Sequence, residues 1–274
     1  MTWEGTEIST AFDSPTTDRI VDGMRRTPAW VITTLVLVTL VAMTLVVAQP
    51  WLSPTDLVRD GQAVAAKHGD TSSAYGLVSN LGIVVAVLAA GFASAGIVVL
   101  ASGDRLRALL GWCIGLTLVF ALDDLLLLHE STAFGPASGF LLVIGYAVAF
   151  ATVAIRFREV IVDRLDPALL ATMFAALGLS AAVDVLVEPA TIASVLVEDG
   201  AKLLGVLAWS AFVVRAALVA LRAGGERSTD QASRSRTASP HSNPHSRQSK
   251  IGASPSDATA MAAAPASTSR SSGP

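Results

Sequence analysis

Three short runs place ionisable side chains inside otherwise apolar segments. ALDDLLLLHE carries Asp123, Asp124, His129 and Glu130; VDVLVE carries Asp184 and Glu188; VEDGAKLLG carries Glu198, Asp199 and Lys202. A charge at the centre of a membrane helix costs about 2.5–3.5 kcal/mol on insertion scales, so such residues are functional candidates by default. Two chemistries suit this set. Carboxylates with one imidazole can ligate a divalent metal ion as cofactor; oxygen-rich sets favour Mg, Ca or Mn, and an imidazole admits Zn or Fe. Crowded carboxylates can instead bind protons, because like charges and burial both disfavour the ionised form. The candidate metal ligands are Asp123, Asp124, Glu130, Asp184, Glu188 and Glu198. In an enzyme, a metal held by Asp123 and Glu130 would activate water, His129 would act as general base and Lys202 would stabilise an anion.

Helical spacing sorts these residues. Asp123 and Glu130 are seven apart and share a face, as do Asp184 and Glu188 at four. Glu198 and Lys202 are four apart in the favourable order for an ion pair, and Gly205 on the same face admits a neighbouring helix. Asp124 and His129 point to other sides of their helix, so the expected centre is Asp123. Each group also has a plainer reading. Glu130, Glu188 and Glu198 lie near helix ends, where carboxylates meet headgroups and water. Asp199 complements a helix N-terminus. Lys202 serves as structural partner to Glu198 or Asp123, and Ser79 and Asn80 are interfacial hydrogen-bonders. Two adjacent acids deep in an apolar helix, Asp123 and Asp124, are the hardest to explain as packing.

The elements that must position these residues are membrane spans. The chain has 274 residues, 52% hydrophobic and 15% charged. Its apolar runs reach the roughly 20 residues that cross a bilayer. Six spans are predicted, at 28–48, 78–101, 108–130, 137–155, 167–188 and 195–221. The fold class is therefore all-α: a polytopic membrane bundle of about six transmembrane helices over 28–222, after an N-terminal segment at 1–27. From 223 to 274 the chain is rich in Ser, Ala, Pro, Thr and Arg, which predicts a disordered cytoplasmic tail. The polar first 27 residues do not read as a cleavable signal peptide.

Basic residues set the orientation. Arg19, Arg25 and Arg26 precede the first span; Arg105 and Arg107, then Arg156, Arg158 and Arg164, fill alternate loops; Arg222 and Arg227 follow the last. The intervening loops hold only Arg59 and Lys67, both in the long 49–77 segment. Both termini are thus expected in the cytoplasm of a bacterium, with the chain in its plasma membrane. The acidic groups then gather in the outer half of the third, fifth and sixth spans. Within 49–77, Pro54 to His68 is expected to form a short interfacial helix. Seven carboxylates against Lys202 and a protonated His129 would leave about five or six negative charges there, so some must be protonated, hydrated or bound to a cation.

Other classes are disfavoured. A formal net charge of -3 argues against a nucleic-acid partner. The lone Cys113 offers neither a disulfide framework nor a thiolate metal site. There is no HExxH, GxSxG or phosphate-binding loop. The runs LDDLLLLHE and VEDGAKLLG, with SNLG at the start of span two, resemble a group of bacterial multi-span proteins sharing a DDxxxxHE helix and a later E-[DE]-G-x-K-x-x-G helix. The resemblance covers spans two to six. It implies a common site at Asp123, Asp124, His129, Glu130, Glu198, Asp199 and Lys202, and no particular reaction. Three functions stay open: a cation site, for a divalent metal or protons, in an outward-facing acidic pocket; a metal-dependent enzyme acting on a lipid or lipid-linked substrate at the outer leaflet; and a structural subunit whose acids pair with a partner. The expected partners are membrane lipids, with a homo-oligomer or membrane partner subunit as the third case.

Overall fold

A computed structural model describes residues 29–59, 61–126, 138–165, 167–187 and 191–237, without the side chains of 63, 138–140 and 226–237. Every regular element among the described residues is helical: α1 Ala29–Ala48, α2 Pro54–Val58, α3 Gly61–His68, α4 Leu77–Val99, α5 Arg105–Leu126, α6 Ser138–Arg156, α7 Arg158–Arg164, α8 Pro167–Leu186 and α9 Ile192–Thr237. Five helices are long and apolar enough to cross a membrane: α1, α4, α5, α8 and the Ile192–Gly225 part of α9. A sixth span results if α6 and α7, bent by 65° around Phe157, are taken together. The all-α membrane bundle expected from the sequence is the observed architecture.

Two boundaries differ from expectation. The interfacial segment is two helices, α2 and α3, with Arg59 extended at the break. The last helix continues past Gly224 to Thr237. Once a helix is nucleated, each added residue gains a backbone hydrogen bond for one residue fixed, and nothing between Glu226 and Thr237 is Gly or Pro. Two compact units are distinguished, 1–230 and 231–274. Of the disordered tail expected over 223–274, residues 223–237 are helical instead, and the rest lies outside the described residues, as does the 1–27 segment.

The centre of the bundle is α9, whose Ala208, Phe212, Val213, Ala216, Ala217 and Ala220 are fully buried. A helix apolar all round belongs inside. Small residues on α4 let it approach closely: a Cβ on Gly96 would stand 3.2 Å from Ala217 Cα and 3.1 Å from Leu110 Cδ1. On α5 the buried residues Leu106, Leu110, Cys113, Thr117, Ala121 and Asp124 form one continuous stripe. Trp209 anchors the middle. Its ring meets Phe150 edge-on at 4.9 Å and stacks on Phe212 at 5.7 Å. Its indole N–H donates to Thr117 Oγ1 at 2.8 Å, which satisfies a polar group that apolar surroundings would otherwise penalise.

A smaller apolar cluster joins Val46, Leu57, Val58, Val78, Val195 and Leu203, fixing α1 and α2 to the starts of α4 and α9. Gly76 closes the turn into α4. Its φ of 65° suits glycine, and a Cβ there would lie 2.4 Å from the Gly61 nitrogen. Its N–H donates to the Asp56 carbonyl at 2.9 Å.

Candidate functional site

The buried stripe of α5 ends in an acid. At Asp124 the helix turns a carboxylate toward α4 and α9 where apolar contact would otherwise continue. Lys202 Nζ, from the third turn of α9, donates to Asp124 Oδ1 at 2.5 Å. Ser79 Oγ, from the first turn of α4, donates to Asp124 Oδ2 at 3.1 Å. Both carboxylate oxygens thus accept from neighbouring helices. Lys202 keeps 29% of its side chain exposed and Asp124 keeps 7%.

Two cavities meet at this carboxylate. The inner one is narrow, about 30 Å³, and is lined by Ser79, Asp124, Asp199 and Lys202 among apolar residues from Val58 to Val206. That volume suits one or two waters or a small ion. The other is a polar vestibule of about 340 Å³ between α3, the turn before α4 and the end of α5, lined by Gln62, Thr71, Ser72, Ser73, Tyr75, Asn80 and Asp124. Gln62 Nε2 fastens α3 to the end of α5 by donating to the Leu125 carbonyl at 2.8 Å.

A polar network includes Tyr75 of the vestibule lining. His68 Nε2 lies 3.1 Å from Asp56 Oδ2, and its ring stacks on Tyr75 at 5.6 Å. Tyr75 donates its hydroxyl to Asp70 Oδ1 at 3.0 Å. That hydrogen bond, then burial and the charges of Asp70 and Asp56, raise the Tyr75 phenol above its usual pKa.

The structure re-centres the acidic group. Asp123 is the expected focus, with Asp124 a candidate ligand on another side of the helix. Adjacent residues on a helix point about 100° apart, and the rotation of α5 gives the Lys202 side to Asp124. Asp123 is also buried, on the side of α5 toward Tyr146 of α6. Phe120 meets the Tyr146 ring edge-on at 5.6 Å.

Of the other expected residues, Asp199 lines the inner cavity and Glu198 is half-buried one turn before Lys202. Asp184 does not join them. It is exposed and lines neither cavity. The buried residues of α8 run only from Ala168 to Ala176, so its last turns are outside the core and the expected convergence of α8 on the site fails there. His129, Glu130 and Glu188 lie outside the described residues. Among the described residues no three of His, Cys, Asp or Glu are grouped to hold a metal ion.

A family model described as a domain of unknown function, DUF8692, matches residues 30–216, more than half of the chain, and ends within the last span. The chain belongs to the DUF8692 family. No curated protein and no solved structure matches it. The DUF8692 match runs through Asp124, Ser79 and Lys202 alike and ends before the polar stretch after Arg222.

The sequence reading missed Tyr146 and Gln62. One signal for the change of centre was present: Asp124 continues the four-and-three spacing of Leu106, Leu110, Cys113, Thr117 and Ala121, the pattern of a helix seam. Gln62 carries no such signal, since its partner is a backbone carbonyl.

Proposed function

We propose that this membrane protein carries an outward-facing cation site at Asp124, with Lys202 as the built-in counter-ion that an arriving cation displaces. The observation that carries this reading is the place of Asp124: it stands between a polar vestibule and a narrow cavity, with an ammonium on one oxygen and a hydroxyl on the other. A carboxylate and an ammonium in a poorly hydrated region are stable as a pair, and removing either charge alone is costly. A cation can take the Asp124 carboxylate with little net change of charge if Lys202 releases its proton to water in the vestibule. A monocation and a proton then exchange one for one. A dication is favoured when Asp199, on the same cavity, shares it. The outward direction rests on the arginines of the alternate loops.

The reading is tested by titrating the purified chain with chloride salts of Na, K, Mg, Ca, Mn and Zn in two buffers of different ionisation heat. Binding with release of about one proton per ion is expected. Asp124→Asn should abolish binding. Lys202→Arg should abolish proton release, because a guanidinium stays protonated. Absence of binding for every salt, together with no metal by elemental analysis, would sink the proposal. A C-terminal reporter scoring outside the cytoplasm would reverse the direction and leave the exchange chemistry standing.

A further inference from the structure

At the other end of α5, about 28 Å from Asp124 along the helix, a third cavity of about 530 Å³ gathers three arginines. Arg105 and Arg107 come from the first turn of α5 and Arg156 from the end of α6. Their guanidinium groups are only partly engaged. Arg105 Nη1 bonds Glu159 across an exposed pair, an interaction of small net worth in water. Arg107 Nη1 donates to the Leu100 carbonyl at 2.8 Å. Arg156 is exposed and makes no ion pair among the described residues. The one carboxylate lining the groove, Asp104, accepts from the Leu106 N–H at 2.9 Å. Trp112, 55% exposed on α5, lines the same groove.

We infer that this groove binds the phosphate of an anionic phospholipid. Guanidinium groups recognise phosphate through paired N–H donors. An exposed Trp beside them suits the headgroup level of a bilayer, where amphipathic rings collect. Basic pockets between membrane helices take such headgroups. With the orientation set by the loop arginines, the groove opens on the cytoplasmic leaflet. This site shares no residue with the Asp124 site, so either can fail without the other.

Native mass spectrometry of the full chain in mild detergent, with phosphatidylglycerol and phosphatidylcholine of equal chain length, tests it. Phosphatidylglycerol should be retained more tightly. Arg156→Gln should weaken it roughly fivefold, the worth of one basic residue at a membrane surface. Arg107→Gln/Arg156→Gln should bring it to the level of phosphatidylcholine, while Arg158→Gln, outside the groove, should change nothing. If the double variant does not fold, the exposed Arg156→Gln alone decides. Equal retention of the two lipids by the wild type, or wild-type retention of phosphatidylglycerol by Arg156→Gln, would overturn the inference. Displacement of the lipid by millimolar inorganic phosphate would reassign the groove to a soluble phosphate and overturn the lipid source.

Discussion

Lys202 reaches across the bundle to Asp124, 78 positions earlier in the chain, and closes a 2.5 Å ion pair between α9 and α5. Because the pair is mostly buried, its two halves are unequal to remove and to replace. Asp124→Ala should destabilise the protein by about 3 kcal/mol, the lower end for a broken buried pair, since Lys202 keeps some exposure. The double variant Asp124→Ala/Lys202→Ala should recover part of that loss. Thermal denaturation in detergent reads both, and additive single losses would show that the two charges are not coupled.

The buried indole of Trp209 has its acceptor in Thr117. Thr117→Val keeps the shape and removes the acceptor. It should cost about 1–3 kcal/mol, the penalty for an unsatisfied buried donor. Thr117→Ser keeps the hydroxyl and should cost less. The comparison of the two melting curves isolates the hydrogen bond from the packing.

Glycines on α4 and α9 differ in what surrounds them. A Cβ on Gly205 would fall 2.6 Å from Leu177 Cγ, and one on Gly96 would crowd the Ala217 backbone, whereas Gly91 has nothing within 4 Å. Gly205→Ala and Gly96→Ala should each destabilise by about 1–3 kcal/mol through overpacking. Gly91→Ala should be neutral or slightly stabilising, since alanine is the better helix former. Equal melting temperatures for all three would mean that these helices pack more loosely.

Tyr75 is one of two tyrosines, so in a Tyr146→Phe background its ionisation can be followed alone by ultraviolet absorbance. The hydrogen bond to Asp70, burial and the nearby carboxylates raise its pKa. Its midpoint should therefore lie above the ordinary value of about 10 and fall toward it in Asp70→Asn. A raised pKa means that the folded state favours the protonated phenol. That stabilisation is complete below the ordinary pKa and is lost as pH rises through the raised one. A Tyr75 midpoint unchanged by Asp70→Asn would remove Asp70 as the cause.

The sequence alone determined the membrane architecture, because crossing a bilayer leaves a local mark: about 20 apolar residues in succession. All five spans and the α6 part of the bent sixth follow from it, whereas α7 falls in what reads as a basic loop. Sequence also singled out Asp123, Asp124 and Lys202, because charge in an apolar helix is conspicuous wherever the helix packs. What it left open was rotation. Whether Asp123 or Asp124 meets Lys202 depends on how α5 is turned about its axis, and the neighbours Gly96, Ala217 and Trp209 set that turn through contacts far away in the chain. The exposure of Asp184 has the same origin, since α8 contributes only its first half to the core. Gln62 and Tyr146 came from tertiary structure alone: one holds a backbone carbonyl of another helix, and the other is an aromatic in an apolar span that becomes notable only when the fold sets it beside Asp123. A helix reveals its length and its charges in one dimension; which side chains meet is decided by packing in three.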